Sequence, residues 1–260
     1  MYYLDFLRRL HEAVAPATYL EIGIRNGDSL ALARCPAVGI DPEFNLRAEL
    51  GPDVTLFEES SDEYFERAQP LKPLGGEPVD LAFIDGMHLA EFALRDFVNV
   101  ERVARWSSVV VFDDILPRDA EMAARDRRTK TWTGDIYKLL GILERRRPDL
   151  VCLRVGTQPT GLLLALALDP GSRVLTESYD DLLGDIVVPD PQHVPADVLE
   201  RRRVLDPEAV LASGVWSLLR DSRAAGVERA PGARLVRRVV RRDLGSVSPG
   251  RLRRMLPAPA

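Results

Sequence analysis

Several acids in this sequence stand where an apolar run stops. Glu21 follows Tyr19-Leu20, and Asp41 follows Ala37-Val38-Gly39-Ile40. Asp85 follows Leu81-Ala82-Phe83-Ile84, and the pair Asp113-Asp114 follows Val109-Val110-Val111-Phe112. If those runs are neighbouring strands of an open parallel sheet, their carboxyl ends face the crevice where such sheets bind ligands. Asp85, Asp113 and Asp114 would then meet, and three converging carboxylates repel one another unless a cation is present. Oxygen-only ligands suit a hard divalent ion, with Mg²⁺ as the first candidate. His88 lies three residues past Asp85, close enough to join the group. The plainer alternative is that each acid caps the helix after it.

The stretch Tyr19-Leu20-Glu21-Ile22-Gly23-Ile24-Arg25-Asn26-Gly27-Asp28-Ser29 reads as strand, glycine turn and helix start, with glycines two and six residues past Glu21. Glycine tolerates positive φ and carries no Cβ, so a ligand can approach such a turn closely. A helix opening behind it would aim free N–H groups at that ligand. Asp41 follows Glu21 by 20 residues, the spacing at which a second-strand acid grips ribose hydroxyls in a nucleotide-binding unit. Its plainer role is to cap the turn before Pro42.

The elements that must position these groups follow from periodicity. Tyr3, Leu7, Leu10 and Val14 recur at helical spacing, which predicts a first helix over 2–15. Strands are expected at 18–22, 37–42, 54–57, 79–86 and 108–114, each followed by a helix or loop; Ser61 or Asp62 can cap the helix over 63–68. Helices are also expected over 91–105 and 136–146. The apolar runs at 150–155 and 161–168 are separated by too few residues for a crossover helix, so they pair antiparallel. The expected fold is therefore α/β: a doubly wound, seven-stranded, mostly parallel, Rossmann-like sheet whose last strand pair is antiparallel. Residues 1–190 would form this domain. From Val188-Pro189-Asp190-Pro191 on, the pattern thins into helices, which makes 191–260 a helical basic extension, disordered at Pro257-Ala258-Pro259-Ala260.

Charge separates the two parts. Residues 191–260 hold 14 arginines and no lysine against 7 acids, a balance of +7, whereas the whole chain is −5, leaving −12 on residues 1–190. The basic tail suits a solvated or subunit-packing helix, which allows a homo-oligomer, or docking on an acidic partner or on the acidic body itself. Nucleic acid ranks last, because no aromatics are interleaved for stacking. Two cysteines make neither a disulfide framework nor a zinc site. No apolar run approaches the ~20 residues of a membrane span, and the N-terminus lacks a signal-peptide pattern, so a cytoplasmic location is expected. Of the tryptophans, Trp132 lies in a charged loop and is the best candidate to stack on a substrate ring; Trp106 reads as core.

Taken together, these motifs resemble a class I S-adenosylmethionine-dependent methyltransferase, in particular the metal-dependent small-molecule O-methyltransferases typified by catechol O-methyltransferase and its bacterial sugar and natural-product relatives. The resemblance covers roughly residues 19–168. It implies that Glu21, Gly23, Gly27 and Ser29 bind the methionine end of S-adenosylmethionine, that Asp41 holds the ribose, and that Ser61, with Asp62, lies near the adenine. It implies metal ligation by Asp85, Asp113 and Asp114, a catalytic base at His88 beside Asp85, and a substrate contact at Asp135. Arg25-Asn26 departs from the glycine-rich form of the turn. The implied reaction is Mg²⁺-assisted methyl transfer to a hydroxyl of a small molecule or glycan. A metal-independent methyltransferase and a binding or scaffold protein on the same fold are the alternatives.

Overall fold

The strands form where the sequence offers short, unbroken apolar runs, as strands covered on both faces require. The computed structural model describes residues 1–245. In chain order the strands are β1 Tyr19–Ile22, β2 Ala37–Ile40, β3 Val54–Phe57, β4 Val79–Ile84, β5 Ala104–Phe112, β6 Val151–Val155, β7 Leu162–Leu166 and β8 Val204–Leu205. They make one sheet in the order β3-β2-β1-β4-β5-β7-β6-β8. β3, β2, β1, β4 and β5 run parallel to their neighbours, while β7 is antiparallel to both β5 and β6. The chain leaves β1 for β2 on one side and returns to β4 on the other. The crevice of this doubly wound sheet therefore opens at the carboxyl ends of β1 and β4.

Helices cover both faces: α1 Tyr3–Val14, α2 Ser61–Phe65, α3 Ala90–Arg102, α4 Lys138–Arg146, α5 Val174–Glu177, α6 Tyr179–Ile186, α7 Ala196–Leu199, α8 Pro207–Leu211, α9 Val215–Ala224 and α10 Arg229–Leu244. Alternation along each strand divides the core in two. Leu20, Val38, Ala82 and Val110 pack with Phe97 of α3, Leu139 of α4 and Leu182 of α6. Tyr19, Leu81, Val109 and Val111 pack with Phe6 of α1, Trp216 of α9 and Val236 of α10.

The sheet has one strand more than the seven expected, because Val204–Leu205 adds in parallel to β6. Only a 3₁₀ turn, Leu30–Leu32, stands where the first crossover helix was predicted; Pro36 lies too close to allow more, since the residue before a proline disfavours helix. β5 starts at Ala104 and so includes Trp106. α2 is capped not by Ser61 or Asp62 but by Ser60, in a capping box with Glu63. No helix forms over the charged stretch 119–130.

The arginine-rich segment packs against the sheet. Trp106 of β5 lays its ring against Gly232 of α10, where an added Cβ would come within 2.1 Å of the ring. Its Nε1 donates to the Val227 carbonyl at 2.7 Å. Val236 and Val240, one turn apart, are buried on the same stripe. The disorder expected at the chain end lies outside the described residues. No described helix is long and apolar enough to cross a membrane.

Candidate functional site

At the end of β1 the chain must turn within one residue of β4. Gly23 takes φ +88°, and a Cβ there would lie 2.1 Å from the Asp85 carbonyl oxygen. Only glycine fits this close approach. Asp41, at the end of β2, braces the turn from the side. One of its oxygens accepts from the Ile24 and Arg25 amides at 2.8 and 2.9 Å, and the other from the Glu43 amide at 2.8 Å. A carboxylate offers about four acceptor sites, so one remains for a ligand hydroxyl. Gly23 and Asp41 both line a cavity of about 540 Å³ over the carboxyl ends of β1, β2, β4 and β5. That volume is in the range of small-molecule sites.

Glu21, Gly27 and Ser29 do not line it. Glu21 shares the face of Tyr19 and is wholly buried. It accepts from the Tyr19 hydroxyl and the Ser29 hydroxyl, both at 2.6 Å. Expected to contact the cofactor directly, Glu21 and Ser29 here form a closed network behind the turn, and Gly27 packs against Leu46. Burial pushes the Glu21 carboxyl up from 4.5 to about 8, against the pull of the two hydroxyls. Between those two values the folded chain binds more protons than the unfolded one, so stability falls as pH rises through that window. Glu21→Gln removes this contribution. Its melting temperature should gain on that of the wild type between pH 5 and pH 9, whereas parallel melting curves at all pH values would contradict a buried, proton-holding Glu21.

Further along the cavity wall, the Ser61 hydroxyl donates to Asp96 at 2.5 Å. Asp96 is buried, and burial raises its carboxyl to about 7. Asp62 also lines the cavity and is paired with Arg95.

The acids of β4 and β5 meet on the cavity floor, but not in the combination expected. Asp113 and Asp114 follow one another and turn apart. Asp113 accepts from the Asp114 amide at 2.7 Å and from the Thr160 hydroxyl at 3.2 Å. Asp114 takes φ +63°, and its carboxylate reaches His88 Nδ1 at 2.8 Å. The other ring nitrogen, Nε2, lies 3.4 Å from Asp85. The ligand atoms that converge, all within 4.8 Å of one another, therefore belong to Asp85, His88 and Asp114. Asp113, expected as a third ligand, lines the same floor but lies outside that group, whose third member is His88.

His88 is held from every side. Its φ is +55°. Its ring stacks on Trp132 at 5.0 Å with an interplanar angle of 3°, and Nδ1 also lies 2.9 Å from the Trp132 carbonyl oxygen. Gly134, at φ +54°, presses so close that a Cβ would fall 1.7 Å from the His88 carbonyl oxygen. Burial opposes a charge on the imidazole, but the hydrogen bonds to Asp114 and Asp85 outweigh it and raise its pKa to about 11. Burial likewise raises the Asp85 carboxyl, though His88 pulls it back. Asp113 is raised well above the carboxylate range by burial, then by Asp114 and Asp85.

Asp135 does not face the cavity. Fully buried, it accepts from the Ala90 amide at 2.8 Å and pairs with Arg125 at 2.7 Å and Lys138 at 2.8 Å. The substrate contact expected there is replaced by an anchor joining the 125 loop to α3 and α4. Trp132 does line the cavity.

Sequence reasoning missed Tyr2 and Tyr3, which reach the cavity from the start of α1. Two backbone hydrogen bonds fix that end: the Tyr3 amide to the Gln158 carbonyl at 2.9 Å, and the Gln158 amide to the Met1 carbonyl at 2.8 Å. Burial and then the nearby Asp85 and Asp113 raise the Tyr3 phenol, so it remains a donor. Nothing in the periodicity of residues 2–15 marks this role.

Residues 20–115 match the family model described as a methyltransferase domain. No curated protein matches the chain by sequence. Among solved structures, the O-methyltransferase TomG of Streptomyces achromogenes, involved in tomaymycin synthesis and solved with S-adenosylmethionine, is 20% identical. The match covers 64% of this chain and 80% of that one, with a TM-score of 0.49. An O-methyltransferase of Bacillus cereus, solved with S-adenosylhomocysteine, is 15% identical over 64% and 80% of the two chains, with a TM-score of 0.39. An O-methyltransferase family protein of Burkholderia thailandensis is 14% identical over 65% and 56%, with a TM-score of 0.46. Likenesses this distant say nothing of substrate.

Proposed function

From the match of residues 20–115 to a methyltransferase-domain model, we propose that this chain is a class I S-adenosylmethionine-dependent methyltransferase and that it methylates a hydroxyl of a small molecule with the help of a divalent cation. The observation that carries this reading is the convergence of Asp85, His88 and Asp114 on the floor of the cavity that Gly23 shapes. Neither Asp85 nor Asp114 forms an ion pair with a lysine or arginine among the described residues, so His88 is the one cationic group in contact with both carboxylates there. The two carboxylates suit Mg²⁺ or Mn²⁺ with His88 beside them, whereas His88 as a third ligand would instead favour Zn²⁺ or Fe²⁺. Such an ion, when bound, would lower the pKa of the acceptor hydroxyl and orient it.

The chain's own residues supply the rest. Gly23 lets the cofactor approach the backbone, Asp41 offers its free acceptor site to the ribose, and Ser61 with Asp96 lies toward the base. Methyl transfer from a sulfonium needs alignment more than activation. The Trp132 ring, stacked on His88, offers a flat wall for an aromatic acceptor. His88 can take a proton only in its neutral form, and as base it would stand beside the ion rather than ligate it, with Asp85 and Asp114 holding the cation in its place. A cavity of about 540 Å³ favours a small acceptor over a long glycan.

A metal-free reading has its own support, because imidazolium His88 already bridges the two carboxylates. Chelation separates the two. With S-adenosylmethionine and a catechol acceptor, release of S-adenosylhomocysteine should fall at least ~100-fold after EDTA treatment and return with Mg²⁺ or Mn²⁺. Turnover indifferent to EDTA would leave the metal-free enzyme. Failure to bind S-adenosylhomocysteine at all would end both and leave a scaffold.

A further inference from the structure

The stretch 125–130 carries three arginines and a lysine, and they divide into two kinds. Arg125 fastens the loop to Glu91 and Asp135, and Arg128 pairs with Asp190 at 3.4 Å. Arg127 and Lys130 instead line the cavity, and neither forms an ion pair among the described residues. The Arg127 guanidinium stands 6.0 Å from the centre of the Trp132 ring. Trp132 thus neighbours both Arg127 and His88, and all three line the cavity. Both cations are exposed, which lets them reach an incoming molecule at little cost in desolvation.

The geometry points to an acceptor that carries an anionic group, a carboxylate or a phosphate, held by Arg127 and Lys130 while its hydroxyl faces Asp85 and Asp114. This rests on the methyl-transfer reading for the hydroxyl end only. A third cation, Arg25, also lines the cavity but belongs to the glycine turn beside Gly23 and Asp41, on the cofactor side. Seven acids make up the rest of the charged wall and oppose an anion beside them: Asp41, Glu43, Asp62, Asp85, Asp96, Asp113 and Asp114. On the acceptor side, Arg127 and Lys130 thus set both the charge and the orientation of the acceptor. Charge-assisted hydrogen bonds to a guanidinium are the strong, directional kind that fixes a carboxylate or phosphate.

The test uses matched probes: 3,4-dihydroxybenzoate, 3,4-dihydroxybenzylphosphonate and neutral 3,4-dihydroxybenzamide. Their binding is measured by calorimetry with S-adenosylhomocysteine and Mg²⁺ present, on the wild type and on the Arg127→Gln/Lys130→Gln double variant. The wild type should prefer at least one anionic probe over the amide by ~10- to 100-fold. That preference should weaken with added NaCl and shrink to within ~3-fold in the double variant. The probe preferred tells carboxylate from phosphate. No preference in the wild type, or no binding of either anionic probe, overturns the inference, as does a preference that survives in the double variant. Charge-dependent binding without methyl transfer to any probe would instead sink the enzymatic reading and leave the anion site standing.

Discussion

Alanine at position 23 is expected to lower the affinity for S-adenosylhomocysteine by at least ~100-fold and to remove turnover. A Cβ there would sit 2.1 Å from the Asp85 carbonyl oxygen, 2.5 Å from its carbon and 2.8 Å from the Gly86 amide nitrogen. All three are backbone atoms, so no rotamer change relieves the clash. The strand ends must part, and with them the cavity floor that begins at Asp85. The left-handed φ adds ~1 kcal/mol or more for a residue with a side chain. Gly27→Ala is the control. Its φ is +84°, but a Cβ there would first meet the Leu46 side chain at 3.0 Å, away from the cavity. Calorimetry on both variants decides the matter, and equal, small losses would remove Gly23 from cofactor binding.

Asp114→Asn should reduce turnover by at least ~100-fold, and Asp113→Asn by less than ~10-fold. The two side chains are neighbours in sequence but not in function. Asp114 turns to His88, whereas Asp113 accepts from the Asp114 amide and from Thr160, a role that an asparagine oxygen can keep. A second readout needs no substrate. With Asp114 neutral, His88 loses its closest carboxylate, so its pKa, followed by NMR in the metal-free protein, should drop from about 11 toward the ordinary histidine range. Equal turnover losses at 113 and 114 would restore the three-aspartate set.

How far the site could be read from residues alone follows from this pair. That acids gather where β1, β2, β4 and β5 end is legible, because buried parallel strands are continuous apolar runs and their ends are easily seen. Which way an acid faces is not. Glu21 lies on the Tyr19 face of β1 and closes on Ser29, and Asp135 anchors a loop, although both occupy positions the resemblance marks as functional. Asp114 enters the cluster only through a positive φ that no apolar pattern announces. Short elements escaped for a related reason. β8 has two residues and no period of its own, and it exists because β6 offers it an edge. In the first crossover, Pro36 outweighed the helical pattern around Leu30 and Leu32.

The anchoring of the first residues has a practical side. Tyr2 and Tyr3 wall the cavity, and Met1 is hydrogen-bonded to Gln158, beside Pro159 and Thr160 of the same wall. An affinity handle joined ahead of Met1 would start one residue from that wall, although Met1 itself lies outside the cavity. Turnover of protein tagged at that end should be compared with that of protein whose handle has been moved or cut away.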